Sequence, residues 1–474
     1  MTSILRPVDG AHRKVLVLGG DGFCGWPTSL YLSRIGYDVT IVDDLSRRGI
    51  DRTLGTDSLT PIRPIGERLA AWEAVAGRRI RFVELRVGEA YAAFRDLVAE
   101  IGPDTIVHFA EQRSAPFSMR SAREKRLTVE GNVCATHDVV CALAETGLDA
   151  HLVHLGSVGV YGYGSTGFPR PEGYLKVAAQ APGGTVEKEI LYPADPESIY
   201  HLTKALDQLV LQYYAKNDRL RITDLHQGIV WGTQTEETAR DERLINRFDY
   251  DGDYGTVINR FLVQAALGYP LTVHGSGRQT RAFIHIRDTV RCVALAIGDP
   301  PRRGERVRIL NQVTETHRVI DLARMIARLS GTPFQHVANP RLEPEENELD
   351  VSNRGLIGLG LVPTHLEDAL LAEISAIAGR YAHRCDRATI PSRTRWCAAP
   401  EPSPIAPGAG AAPSPGSAAR TCAEPASPST ECALAGGAAP APPLPQADAD
   451  ELEAGPPQEA WYDPEIAAPE PARL

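Results

Sequence analysis

The chain has 474 residues, 43% of them apolar and 23% charged, a balance ordinary for a globular protein and sufficient for two lobes around a large core. Its formal net charge is -10, but eleven acidic against two basic residues lie beyond position 400, so the body is nearly neutral and lacks the basic face that nucleic acid or a membrane surface calls for. No apolar run reaches the ~18 residues of a membrane span, residues 1–14 lack a signal-peptide core, and eight scattered cysteines with no C-x-x-C pair point to reduced thiols in a cytoplasmic protein rather than a disulfide frame or a zinc site.

From about residue 14 the runs "VLVLG", "DVTIVD", "IRFVEL", "TIVHFA" and "HLVHLGS" are short, β-branched and apolar on both faces. Between them, "EAYAAFRDLVAEIG" and "NVCATHDVVCALAETG" carry the amphipathic pattern of helices. Strands buried on both faces, each followed by a helix, predict an α/β fold with a doubly wound parallel sheet of Rossmann type. Residues 200–232 add a helix and the strand "RITDLHQGIVWG"; from 233 the regularity loosens, which predicts a smaller C-terminal substrate-binding lobe. The expected division is 14–232 for a dinucleotide-binding domain with the catalytic groups and 233–390 for the substrate lobe, with the chain free to cross between them. Residues 395–474 are mostly Ala, Pro, Gly and Ser, offer little to bury, and read as a disordered acidic tail.

The first strand runs into "GGDGFCGWP", where Gly19, Gly22 and Gly25 fall three residues apart. A glycine-rich turn that opens a helix lets pyrophosphate oxygens reach backbone N–H groups at the positive helix end. Phe23 lies inside this turn. Asp43, with Asp44 beside it, ends the second predicted strand eighteen residues past Gly25. A carboxylate there accepts hydrogen bonds from the adenosine ribose and repels a 2′-phosphate, which favours NAD over NADP. Arg47 and Arg48 follow closely and are the residues that would favour a 2′-phosphate instead. Val230 is assigned to the same cofactor site.

"SIYHLTKALDQLV" places Tyr200 and Lys204 four residues apart, on one helix face. A phenol with pKa near ~10 is a poor base, and lowering it by about three units requires roughly 4 kcal/mol of preferential phenolate stabilisation. The Lys204 ammonium and the positive nicotinamide of oxidised NAD are the candidate sources. Ser157, ending the fifth predicted strand, is positioned to hydrogen-bond the reacting oxygen. The chemistry is reversible oxidation of a secondary alcohol. His108, His154 and His285 are not at metal-ligand spacing, and no metal is expected.

"GGDGFCGW", "LGTDSLTPI", "VHFAEQRSAPFSM", "YHLTK", "RFDYDGDYGTVINRF", "GSGRQTRAFIHIRDT" and "NPRLEPEE" together resemble the UDP-sulfoquinovose synthase family over about 14–380. The resemblance implies an extended short-chain dehydrogenase with tightly held NAD. Such an enzyme oxidises UDP-glucose at C4, eliminates water across C5 and C6, and adds sulfite. It also implies a hydroxyl/tyrosine/lysine group at Ser157, Tyr200 and Lys204, and sugar-nucleotide contacts from Arg113, Gln227, Asn259, Gln279 and Arg281. Arg341 joins these because a planar guanidinium suits a diphosphate. His201, retained from the family, is a candidate for proton transfer near C5 or C6. By analogy with the fold, helices near 128–147 and 199–216 are expected to pair two copies into a homodimer.

Three departures stand out. Where the family has a glutamate after the fifth strand, this chain has Val160; where it has an asparagine before Gln227, this chain has His226; and its acid after the third strand is missing near Arg86. Related dehydratases place an Asp-Glu pair at positions occupied here by Val158 and Gly159. A nucleotide-sugar 4-epimerase needs no such pair, so sulfoquinovose chemistry and 4-epimerisation both remain open at this point. A nucleotide-sensing regulator is the other class, but such proteins lose the tyrosine or the lysine.

Overall fold

The computed structural model describes residues 13–396 apart from 165–168, 342, 393 and 395. The expected tail over 395–474 therefore falls, Trp396 excepted, outside the described residues. The five predicted apolar runs form β1 (Lys14–Leu18), β2 (Asp38–Asp43), β3 (Arg81–Glu84), β4 (Thr105–His108) and β5 (His151–Ser157). An unanticipated antiparallel hairpin, β6 (Tyr174–Ala181) and β7 (Gly184–Leu191), precedes β8 (Arg221–Gln227) and β9 (Ile229–Trp231). Then come β10 (Leu271–His274), β11 (Arg278–His285), β12 (Arg308–Gln312), β13 (Glu315–Arg318), β14 (Phe334–Val337) and β15 (Glu346–Asn347). The helices that matter for the site are α1 (Gly25–Arg34), α2 (Ser46–Leu54), α3 (Ile65–Ala76), α4 (Tyr91–Ile101), α5 (Ala115–Ser118), α6 (Ala122–Thr146), α7 (Ile199–Asn217), α8 (Val257–Ala266) and α9 (Ile286–Gly298).

Seven strands make one sheet in the order β12-β8-β5-β4-β1-β2-β3, every pair parallel. Alternation along β1 explains the two layers. Val15 and Val17 pack on one face with Trp26, Trp72 and Val293 of α1, α3 and α9. Leu16 and Leu18 pack on the other with Phe94, Val139 and Leu211 of α4, α6 and α7. Each such fully buried aliphatic side chain contributes roughly 1.5–3 kcal/mol of transfer free energy.

β12 returns from the C-terminal segment to the sheet edge, Arg308–Gln312 in register with Thr223–Gln227, and α9 belongs to the sheet's outer layer. The remaining C-terminal elements build a separate core from Ile258, Leu262, Phe283 and Leu322. Among the described residues no helix is long and apolar enough to cross a membrane.

Candidate active site

β1 neighbours both β2 and β4, so the strand order reverses there and a crevice opens beyond the carboxyl ends of β1 and β4. The glycine turn fills its floor. Gly19 has φ +78°, and a Cβ on it would stand 2.7 Å from the backbone of Phe109. A Cβ on Gly25 would stand 2.1 Å from the Gly19 carbonyl oxygen, so only glycine lets α1 descend onto the end of β1. Gly22 leaves bare backbone between them. Gly19, Gly22, Phe23, Gly25, Asp43 and Asp44 all line the resulting cavity.

Asp43 accepts the Asp21 N–H at 2.9 Å and the Leu45 N–H at 2.7 Å, which aims its carboxylate at the crevice rim. Burial outweighs the two backbone bonds and pushes its carboxyl up to about 6. Arg48 is forked onto Asp21 at 2.6 and 2.8 Å, and Arg47 spans Asp51 and Asp249. Both guanidiniums that a 2′-phosphate would need are thus engaged by carboxylates. After β3, where the family acid is missing, Leu85, Arg86 and Val87 line the cavity, and Arg86 turns to Glu89 at 3.1 Å. A cradle that any Cβ would fill, with a carboxylate at the ribose end, fits NAD.

Ser198 caps α7 by accepting the His201 N–H at 3.2 Å, which puts Tyr200 in the first turn and Lys204 one turn on. Lys204 is buried, with Nζ 2.5 Å from Glu111 Oε2, 3.4 Å from His154 Nε2 and 3.7 Å from Asp207 Oδ2. Glu111, His154 and Asp207 converge as metal ligands would, but the Lys204 ammonium stands among them. Burial opposes that ammonium, yet Glu111 and Asp207 outweigh it and hold Lys204 above the ordinary lysine range. Burial also pushes the Tyr200 phenol up to about 12. Lys204 lowers it as expected, Glu111 works against Lys204, and a hydrogen bond from Ser157 lowers it further. Burial thus outweighs Lys204 and Ser157 together.

Behind Lys204, His154 Nδ1 meets Asp224 Oδ1 at 2.8 Å, Asp224 Oδ2 meets His226 Nε2 at 3.0 Å, and His226 Nδ1 meets the Tyr161 hydroxyl at 2.7 Å. His226, one of the departures, belongs to this buried network. Glu111 is the main participant not legible in the sequence. Its only signal was its place just past the fourth strand, in "HFAEQR".

A second cavity meets the first at Tyr200 and shares Phe23, Cys24, Arg113, Gln227 and Tyr254 with it. Ser157, His201, Gln279, Arg281 and Arg341 line it as expected. Arg281 pairs with Glu343 and lies 4.6 Å over the Tyr163 ring, while Arg341 lies 4.5 Å over Trp396. Arg260, overlooked in the sequence, also lines this cavity, its guanidinium pushed down to about 10 by burial.

Two residues fall elsewhere. Asn259 points away from the cavity lining, with Nδ2 donating to the Asp249 carbonyl at 3.3 Å, because its α8 neighbour Arg260 takes the inward position. Val230, assigned to the cofactor, lines the second cavity instead, because β9 pairs with β11 on the substrate side.

The His201 ring fills the space over Gly159. A Cβ on Gly159 would stand 2.2 Å from the His201 ring. Burial, with Arg341 and Arg281 nearby, pushes the imidazole down to about 3, so it is neutral at neutral pH. Val160 packs in an apolar cluster with Tyr161, Tyr192 and Leu349 and does not line the cavity.

The sequence model of the NAD dependent epimerase/dehydratase family matches residues 15–311. The chain is 42% identical over 392 residues to UDP-sulfoquinovose synthase, chloroplastic, of Spinacia oleracea, covering 81% of this chain and 79% of that protein. It is 37% identical over 357 residues to UDP-sulfoquinovose synthase of Sulfolobus acidocaldarius, covering 74% and 88%. Its fold is similar to that of UDP-glucose 4-epimerase with UDP-glucose from Thermotoga maritima, with a TM-score of 0.57, 19% identity, and coverage of 76% and 97%. The chain is an NAD-dependent enzyme that belongs to the UDP-sulfoquinovose synthase family, within the NAD dependent epimerase/dehydratase family.

Proposed function

We propose that this chain converts UDP-glucose and sulfite to UDP-sulfoquinovose by transient oxidation at C4. The turn of Gly19, Gly22 and Gly25, with Asp43, would hold NAD, which would supply the hydride acceptor and donor for C4. Tyr200, hydrogen-bonded to Ser157, takes the C4 hydroxyl proton and gives it back at the end. The C4 ketone acidifies the C5 proton. His201, neutral in the cavity, removes that proton and passes it to the departing C6 hydroxyl, which leaves as water. Sulfite then adds at C6 as bisulfite, and its proton is taken by His201 and delivered to C5. Arg260, Arg281 and Arg341 supply the positive charge that a diphosphate requires.

The observation that carries this reading is the neutral His201 ring filling the space over Gly159, in the cavity that holds Tyr200 and Ser157. It supplies the acid–base group that Val158 and Gly159 lack. The test is mass spectrometry of products from UDP-glucose with and without sulfite. A product in which sulfonate replaces the C6 hydroxyl, absent in His201→Gln, supports the reading. UDP-galactose formed without sulfite, and unaffected by His201→Gln, would instead mark a 4-epimerase.

The pairing surface belongs to the same proposal. Leu209 and Tyr213 of α7 are each 60% exposed and stand one turn apart beside α6. They suit a four-helix contact with a second copy, testable by light scattering of the purified protein. Cytoplasmic residence is likewise proposed from the free cysteines Cys24, Cys134, Cys141, Cys292 and Cys385.

A further inference from the structure

The segment "RFDYDGD", whose Arg247 lines the coenzyme cavity and whose Asp253 lines the second cavity, carries a densely buried set of charges. Asp249 is 2% exposed and accepts hydrogen bonds from three arginines: Arg47 at 3.1 Å, Arg247 at 3.2 Å, and Arg113 in a short contact. Asp51 accepts from Arg247 at 2.5 Å and from Arg47 in a short contact. Three guanidiniums thus share two carboxylates, and the buried Asp251 carboxylate lies close enough to act on both Arg47 and Asp249. Arg47, Arg113 and Arg247 all line the coenzyme cavity.

The cluster joins three separate stretches of chain: α2 after the ribose-binding Asp43, the loop after β4, and the loop before α8. Of these, α2 is held in an unusual way. Asp51 is its one buried residue, so it is tied down by ion pairs rather than by an apolar face. It starts from Leu45, a non-glycine residue at φ +56°, a conformation that persists only when surroundings enforce it. Meanwhile Ser46, Arg47 and Ile50 of α2 line the coenzyme cavity. Arg47 also stacks 3.7 Å over Tyr254, and Asn259 holds the Asp249 carbonyl, so the loop end of the contact is itself fixed.

We infer that Asp249 and Asp51, through Arg47, Arg113 and Arg247, clamp α2 against the coenzyme cavity and so set how slowly NAD leaves. The chemistry gives such a clamp a purpose. Hydride taken from the sugar is returned to the same sugar, so a reduced coenzyme that departed midway would strand a keto intermediate. The inference concerns the coenzyme alone and stands whether or not sulfite is the second substrate.

The test follows release of radiolabelled NAD from the loaded full-length protein after a chase with excess unlabelled NAD. Asp249→Asn is expected to speed release at least tenfold. Arg47→Gln, whose side chain lines only the coenzyme cavity, is expected to speed release several-fold while leaving the affinity for UDP unchanged by calorimetry. If Asp249→Asn does not fold, Arg47→Gln decides. Release at the unaltered rate in Arg47→Gln, or in a folded Asp249→Asn, overturns the clamp. So does a loss of UDP affinity in Arg47→Gln equal to the gain in NAD release, because that marks a general loosening of the site.

Discussion

Replacing Lys204 by methionine separates the structural from the chemical role of the buried ion pair. At 2.5 Å from Glu111 Oε2, the ammonium gains about 7 kcal/mol of Coulomb energy at an effective dielectric of ~20. Desolvation of two ions offsets most of that, so the intact pair adds little net stability. Removing one partner is different, because the other is left buried and charged, at a cost of about 3–5 kcal/mol. His154 Nε2 stays 3.2 Å from Glu111 Oε1 and softens the loss, so Lys204→Met is expected near the lower figure, about 3 kcal/mol. Adding Glu111→Gln removes the stranded charge and should restore about 2 kcal/mol or more, a coupling within the range measured for contacting residues. Activity should stay lost in both, because neither carries the ammonium beside Tyr200. Urea unfolding of the two single variants and the double variant, beside sugar-nucleotide turnover, makes the measurement. A double variant no more stable than Lys204→Met would refute the reasoning.

Gly25→Ala should yield protein that copurifies with no NAD, because the added methyl meets the Gly19 carbonyl at 2.1 Å; absorbance of the supernatant after denaturation reads it. His151 is 2% exposed and pushed down to about 3 by burial and by Arg221 and Arg308. Below pH ~6.5 the unfolded chain takes up a proton that the folded chain refuses, so this residue's share of stability is lost as pH falls, about 2 kcal/mol by pH ~5. His151→Gln should remove that part of the slope in urea titrations compared at pH ~7.5 and ~5. Arg341→Lys should raise KM for the sugar nucleotide about tenfold, roughly 1.4 kcal/mol, with kcat little changed, because the lost fork binds ground and transition states alike.

The parts of this enzyme written in the sequence alone are those one stretch of chain completes by itself. Short β-branched runs, apolar on both faces, specified β1 to β5, three glycines in seven residues specified the coenzyme turn, and the i, i+4 spacing specified the Tyr200 and Lys204 pair. Local geometry determines each of these, and no distant partner is needed. The tertiary structure alone decided which groups act on them. Glu111 reaches Lys204 across 93 positions of chain, and Asp249 gathers Arg47 and Arg113 from two other segments. Asn259 and Arg260 were exchanged for the same reason: facing in or out on α8 depends on what α8 packs against, which neighbouring residues do not record. A charge far away in sequence leaves no local pattern, so its effect on a proton's affinity appears only once the fold has brought it within a few ångströms.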